Sequence, residues 1–260
     1  MNCFFGGIMG LVNLEDKCVI ISGASNTVGH AIGHKLVDCG ATVYLMSKHA
    51  DKIAMIAKEI DPSGKNAIAM PCELLSQTSI QESIDRIEAS DHNVNVLINA
   101  TDVALYEKLE NISIDDFNRS LSINLNPVFL LAKHCFPMMK EHGGGHIINL
   151  ASMISKNCVP NIAAYNAAKG GVIMLTRAMA EEWAKYGIRA NTIINGNVEL
   201  ASPRDLDSGH RVMDSAFGIK WSLAEDIAEV TAYLISEKGK DITGKEIVID
   251  EDFINDLQYK

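Results

Sequence analysis

The chain lacks most of what would mark a nucleic-acid, membrane or disulfide-stapled protein. Basic residues are outnumbered, 23 Lys+Arg against 33 Asp+Glu, for a formal charge of −10. Without a basic run it has no clustered cations for a phosphate backbone or an anionic bilayer, so neither nucleic acid nor membrane is an expected partner. No uncharged, mainly apolar run reaches the ~18 residues of a membrane span. The six prolines and 19 glycines are scattered, leaving no linker, so one domain over residues 1–260 is expected. None of the six cysteines stands in a Cys-x-x-Cys motif. In Lys17-Cys18-Val19-Ile20 the thiol reads as a small hydrophobe, and reduced thiols fit a cytoplasmic location. His30 and His34 share a helix face, but with no third ligand no metal site is expected. Met1–Leu14 is uncharged without the basic start of a signal peptide, and reads as an N-terminal arm (1–14).

What is present is an alternation. Apolar runs at Cys18–Ser22, Ala41–Met46, Asn66–Met70, Val94–Asn99, His146–Ala151, Ile188–Ile194 and Glu246–Ile249 read as seven strands. Helical patterns fall between them at Asn26–Cys39, His49–Ile60, Ser76–Ala89, Ile114–Lys140, Ala163–Tyr186 and Leu223–Ile235. Strands that are apolar throughout suit a parallel sheet covered on both faces, and the alternation predicts an α/β fold, a Rossmann-type doubly wound sheet. Pro127 removes an N–H inside the long fourth helix and frees the carbonyl of Ile123, so a kink is expected there.

Three patterns carry chemistry. Ser22-Gly23-Ala24-Ser25-Asn26-Thr27-Val28-Gly29 follows the first strand and opens a helix. Small residues there let backbone N–H groups approach a diphosphate, and the helix N-terminus adds partial positive charge. Tyr165 and Lys169 stand four apart at the head of a helix, on one face, where a cation favours the phenolate and lowers the tyrosine pKa. Tyr44 and Lys48 share that spacing, but on a strand four residues span about 13 Å and the two cannot meet. Ser152 ends the fifth strand run, and ligands of doubly wound sheets lie beyond strand carboxyl ends. The second strand ends in Ser47-Lys48 with no carboxylate before Asp51, so a cation rather than an acid meets the adenine ribose.

Taken together, these residues resemble the short-chain dehydrogenase/reductase family, of the single-domain, usually tetrameric type, from about Glu15 to Asp250. Ser152 stands thirteen residues before Tyr165, and Asn124 in Ser-Ile-Asn124-Leu-Asn-Pro falls on the family's catalytic asparagine. The resemblance implies a catalytic tetrad of Asn124, Ser152, Tyr165 and Lys169, in an NAD(P)-dependent oxidoreductase interconverting a carbonyl and a secondary alcohol. Tyr165 would carry the proton and Ser152 would bond the substrate oxygen. Lys169 would hold the nicotinamide ribose, and Asn124 a relay water. The implied cofactor contacts are Gly23, Ser25, Thr27, Val28, Gly29, Ser47, Lys48, Glu73, Asn99, Lys169 and Val198. NADP(H) is expected to be favoured over NAD(H). A homo-oligomer, in particular a tetramer, and a substrate lid over residues 196–221 are implied as well.

The departures from the family pattern define a competing expectation. Ser22 and Thr27 replace the Thr and the middle Gly of its first loop, and Glu73 its adenine-capping Asp. Asn99-Ala100-Thr101-Asp102 stands for Asn-Asn-Ala-Gly, Asn195-Gly196 for Pro-Gly, and Leu200 for a Thr. A carboxylate about 6 Å from a diphosphate charge costs roughly 3 kcal/mol at an effective dielectric of 20, so Asp102 is expected to point away. A weak or inactive binding or regulatory protein on the same fold is the alternative these departures favour, while the tetrad favours catalysis. The charged 196–221 segment fits a polar substrate better than a sterol.

Overall fold

A computed structural model of the chain describes residues 12–90, 92–196 and 223–249. Most of the expected arm and lid, including Val198 and Leu200, lie outside these residues. Seven strands form one parallel sheet: β1 (Cys18–Ser22), β2 (Thr42–Ser47), β3 (Ala67–Pro71), β4 (Val96–Asn99), β5 (Gly145–Ser152), β6 (Ile188–Asn195) and β7 (Glu246–Ile249). Their order is β3-β2-β1-β4-β5-β6-β7. The chain winds outward from β1 to β3, then returns to lay β4 on the other side of β1. The winding direction reverses at that point, which opens a crevice beyond the carboxyl ends of β1 and β4.

The apolar runs serve two faces at once because successive side chains point to opposite sides. Val19 and Ile21 of β1, with Val43, Leu45, Val96 and Ile98, pack under helices α1 (Thr27–Asp38), α2 (Ala50–Ile60) and α8 (Ala224–Ile235). Cys18, Ile20, Tyr44, Met46 and Leu97 face the other layer, built from α3 (Gln77–Glu88), α5 (Asn126–Glu141) and α7 (Ala163–Trp183). No helix among the described residues is long and apolar enough to cross a membrane.

Several joints fix how the elements meet the crevice. Asn26 caps α1 by accepting from Gly29 N at 2.7 Å, and its own amide donates to Ala100 O at 2.7 Å, tying the first loop to the end of β4. Arg189 of β6 donates to the carbonyls of Leu234 (3.1 Å), Gly239 (3.0 Å) and Ile242 (2.9 Å), closing the C-terminal end of α8. The helix expected over Ile114–Lys140 is two helices, α4 (Ile114–Asn124) and α5. Leu125 lies between them at φ −116°, ψ −50°, so the missing N–H of Pro127 produces a break rather than a kink. Ala184–Tyr186, expected as the tail of α7, is a turn of 3-10 helix. Two short elements fall outside the expected pattern, helix α6 (Ile154–Asn157) after β5 and a 3-10 turn at Glu237–Gly239. The remaining differences are shifts of one or two residues at element ends.

Candidate active site

The first loop is shaped around two glycines. Gly23 has φ +76°, and a Cβ there would stand 2.8 Å from Thr101 N and 2.9 Å from Ala100 C. A Cβ on Gly29 would stand 2.5 Å from Gly23 O. Only glycine fits either position, because both face rigid backbone. The loop therefore lies flat against the end of β4, with the N-terminus of α1 behind Ser25, Asn26, Thr27 and Val28. Ser25 Oγ and Ser47 Oγ are 2.8 Å apart, which joins the loop to the end of β2. Lys48 follows on the surface, and Glu73, after β3, is also exposed. The structure thus gathers Gly23–Gly29, Ser47, Lys48 and Glu73 at the carboxyl ends of β1, β2 and β3.

Facing this edge is α7. Tyr165 and Lys169 lie one turn apart, and both are buried, at 3% and 1% exposure. Lys169 Nζ donates to Thr101 O at 2.9 Å and Leu150 O at 3.2 Å, bridging the ends of β4 and β5. Ser152, the last residue of β5, shares a hydrogen bond with Tyr165 and accepts from Ile154 N at 3.4 Å. Asn124, the last residue of α4, is buried and works on backbone: its Oδ1 accepts from Val103 N at 3.0 Å. Its Nδ2 donates to Val103 O at 2.8 Å and Ser120 O at 3.1 Å. The two bonds to Val103 hold the loop after β4 in place. Between the glycines and Lys169, Thr101 Oγ1 is buried with no partner. A cradle that a Cβ would fill, a helix N-terminus and an orphaned hydroxyl beside a buried lysine fit a polar, anionic ligand such as a nicotinamide dinucleotide.

A model of the short chain dehydrogenase family matches residues 17–209. The chain belongs to the short-chain dehydrogenase family. The 2-dehydro-3-deoxy-D-gluconate 5-dehydrogenase of Formosa agariphila is 29% identical over 247 residues, covering 92% of this chain and 93% of that protein. The NAD-dependent glycerol dehydrogenase of Listeria innocua is 28% identical over 245 residues, covering 92% and 94%. Among solved structures, a gluconate 5-dehydrogenase from Burkholderia cenocepacia in complex with NADP and tartrate superposes with a TM-score of 0.83 at 26% identity, covering 92% of this chain and 96% of that one. This short-chain dehydrogenase is an NAD(P)-dependent oxidoreductase that interconverts a carbonyl and an alcohol.

Two features of this short-chain dehydrogenase differ from what its sequence leads one to expect. Asp102 turns its carboxylate to α7. Its Oδ1 accepts the Tyr165 hydroxyl at 2.6 Å and lies 3.4 Å from Lys169 Nζ. The Tyr165 phenol is accordingly pushed well above its usual pKa rather than lowered. Burial is the largest cause, the Asp102 charge and the bond it accepts come next, and the Ser152 hydrogen bond works the other way. The second feature is a buried polar ladder. Ser22, Asn99 and Asn149 stand in register on β1, β4 and β5. Ser22 Oγ donates to Asn99 Oδ1 (3.0 Å), Asn99 Nδ2 to Asn149 Oδ1 (2.8 Å), and Asn149 Nδ2 to Thr176 Oγ1 of α7 (2.8 Å). Asn99, expected as a cofactor contact, is 2% exposed with both ends of its amide engaged, so its side chain serves the sheet rather than the cleft. Thr176 shares a helix face with Tyr165 and Lys169, so the ladder anchors the helix that carries them.

Proposed function

We propose that this short-chain dehydrogenase acts on a small polyhydroxylated carbonyl/alcohol pair, a polyol or sugar acid, with Tyr165 exchanging the proton. The observation that carries this reading is the meeting of buried Tyr165 and Lys169 with Ser152 across the crevice from the Gly23–Gly29 cradle. The dinucleotide would be held by backbone of Gly23, Ser25, Thr27, Val28 and Gly29, by Ser47, Lys48, Glu73 and Val198 on the adenosine and lid sides, and by Lys169. A dinucleotide held there would supply or accept the hydride. Tyr165 gives or takes the proton at the carbonyl oxygen, and Ser152 donates a hydrogen bond to that oxygen as negative charge builds on it. Lys169, held by two carbonyls, would set its Nζ beside the phenol and the ribose. Asn124 holds the 101–103 loop that supplies one of those carbonyls.

The polyhydroxylated substrate is supported by the relatives, which are named for gluconate, its dehydro-deoxy derivative and glycerol, and by the charged residues of the 196–221 lid. Relatives are named with either coenzyme, NADP in one case and NAD in the other. Lys48, exposed at the end of β2 with buried Ser47 beside it, supports a roughly tenfold preference for NADP, worth about 1.4 kcal/mol. The apolar Phe129 of α5 and Met174 of α7 are 47% and 60% exposed, which supports a homotetramer or dimer that pairs these helices. One domain spans the chain, and the unpaired thiols of the five described cysteines suit the cytoplasm. The test is titration with both coenzymes, followed by a polyol, sugar-acid and keto-acid panel read by absorbance of the reduced coenzyme. Saturable binding and turnover of at least one polyhydroxylated compound is expected; a chain that binds neither coenzyme has no hydride source and ends this reading.

A further inference from the structure

The crevice contains a carboxylate that the tetrad does not explain. Asp102 stands on the loop after β4, where the family pattern has glycine, and one of its oxygens reaches both Tyr165 Oη (2.6 Å) and Lys169 Nζ (3.4 Å). We propose that Asp102 is a positioning residue that keeps Tyr165 loaded with its proton, so that near neutral pH the site is built to donate a proton to a carbonyl rather than to take one from an alcohol. The inference rests on the proposed role of Tyr165 as the proton carrier.

Donors, acceptors and charge decide where the shared proton rests. An ionised carboxylate only accepts, so the shared hydrogen belongs to the tyrosine. Ionising Tyr165 would remove that bond and set a phenolate 2.6 Å from a carboxylate. Lys169 alone would favour the phenolate, but its charge already meets Asp102 and the carbonyls of Thr101 and Leu150. From β5, Ser152 offers the phenol a hydrogen bond, and from the loop Tyr106 adds a second phenol rather than a cation. Among the described residues Lys169 is therefore the one cation facing the pair. The Asp102 side chain is 45% exposed while Tyr165 is buried, so the carboxylate keeps a contact with water that the phenol lacks.

The chemistry balances in one direction without strain on the proton inventory. As the carbonyl carbon takes a hydride from the reduced nicotinamide, Tyr165 passes its proton to the carbonyl oxygen and the alcohol forms. The phenolate left beside Asp102 is raised in energy and retakes a proton from water. In the reverse direction the alcohol proton has no acceptor until Tyr165 has first lost its own to solvent, so oxidation needs alkaline conditions.

The experiment is a pH titration of phenolate absorbance on the folded, coenzyme-free protein, comparing wild type with Asp102→Asn. The amide keeps an acceptor oxygen and deletes the charge. Subtracting the Tyr165→Phe trace in each background isolates the one tyrosine. The Tyr165 step is expected at least one pH unit lower in Asp102→Asn, a tenfold fall in proton affinity, and lower again than wild type in Asp102→Ser. The alkaline limb of alcohol oxidation should move down by the same amount. An unmoved phenolate step in both variants overturns the proposal. So does a slower oxidation with no shift of the limb, which would make Asp102 the terminal proton acceptor instead. Failure of the wild type to turn over any carbonyl would count against the proposed function, while the phenolate titration would still decide this inference.

Discussion

Asn149 offers a test of how the site is held up. It is fully buried, accepts from Asn99 Nδ2 at 2.8 Å and donates to Thr176 Oγ1 at 2.8 Å. Asn149→Ala removes both bonds. Thr176 Oγ1 still donates to Val172 O at 2.7 Å, so little is lost at that end. The Asn99 amide, however, keeps a buried donor with no acceptor, a cost of about 1–3 kcal/mol. The void left by the amide adds about 1 kcal/mol at ~24 cal/mol per Å³. The sum is about 3 kcal/mol, and at roughly 2–4 °C per kcal/mol for a domain of this size Tm should fall by about 6–12 °C. Thermal unfolding followed by circular dichroism measures this. The double variant Asn99→Ala/Asn149→Ala should cost less than the two single changes added together, because the orphaned donor is gone. A fall below about 3 °C in Asn149→Ala, or strict additivity in the double variant, would refute the Asn99–Asn149 step of the ladder as a stabilising link between β4 and β5.

Other consequences follow from single positions. Gly29→Ala should abolish coenzyme binding in whatever fraction still folds, since its Cβ would press on Gly23 O at 2.5 Å; calorimetric titration giving wild-type affinity would contradict the cradle. Lys48→Ala should remove most of the NADP margin and leave NAD affinity nearly untouched, a split read from paired titrations; equal weakening of both coenzymes would show that Lys48 does not read the 2′-phosphate. Burial, then the Arg189 charge, holds His146 well below the usual histidine pKa of 6.5. Its Nε2 accepts from Asn191 Nδ2 at 2.8 Å, so the proton of the neutral ring sits on Nδ1. Below about pH 6.5 the unfolded chain takes up a proton that the folded one refuses, so stability falls with pH by at most about 1.4 kcal/mol per unit. Urea titrations between about pH 6.5 and 5 should show a shallower pH dependence in His146→Gln, and identical slopes would remove His146 from the account.

The strands were legible in the sequence because each is a continuous apolar run, and a doubly buried parallel sheet needs nothing else. The break at Leu125 was half legible: Pro127 announces a lost hydrogen bond, but whether a helix bends or stops there depends on its packing. Tyr165, Lys169 and Ser152 could be read from spacing because one helix turn and one strand end fix their relative places. The Ser22–Asn99–Asn149 ladder could not, since it exists only once β4 has come to lie between β1 and β5 in register. Asp102 stood out as a charge where the family has glycine, yet its direction depends on the two bonds by which Asn124, far along the chain, fixes the loop at Val103. No local pattern encodes that.

In the proposed mechanism the proton moves through Tyr165. Replacing Tyr165 by Phe removes one hydroxyl and no contact of the glycine cradle. Steady-state turnover of the best substrate from the panel, read by reduced-coenzyme absorbance beside a binding titration, should show a loss of about 10²-fold or more in rate with coenzyme affinity within about twofold of wild type. A Tyr165→Phe enzyme that keeps more than about a tenth of the wild-type rate would contradict the account, because a lost general acid costs more than that.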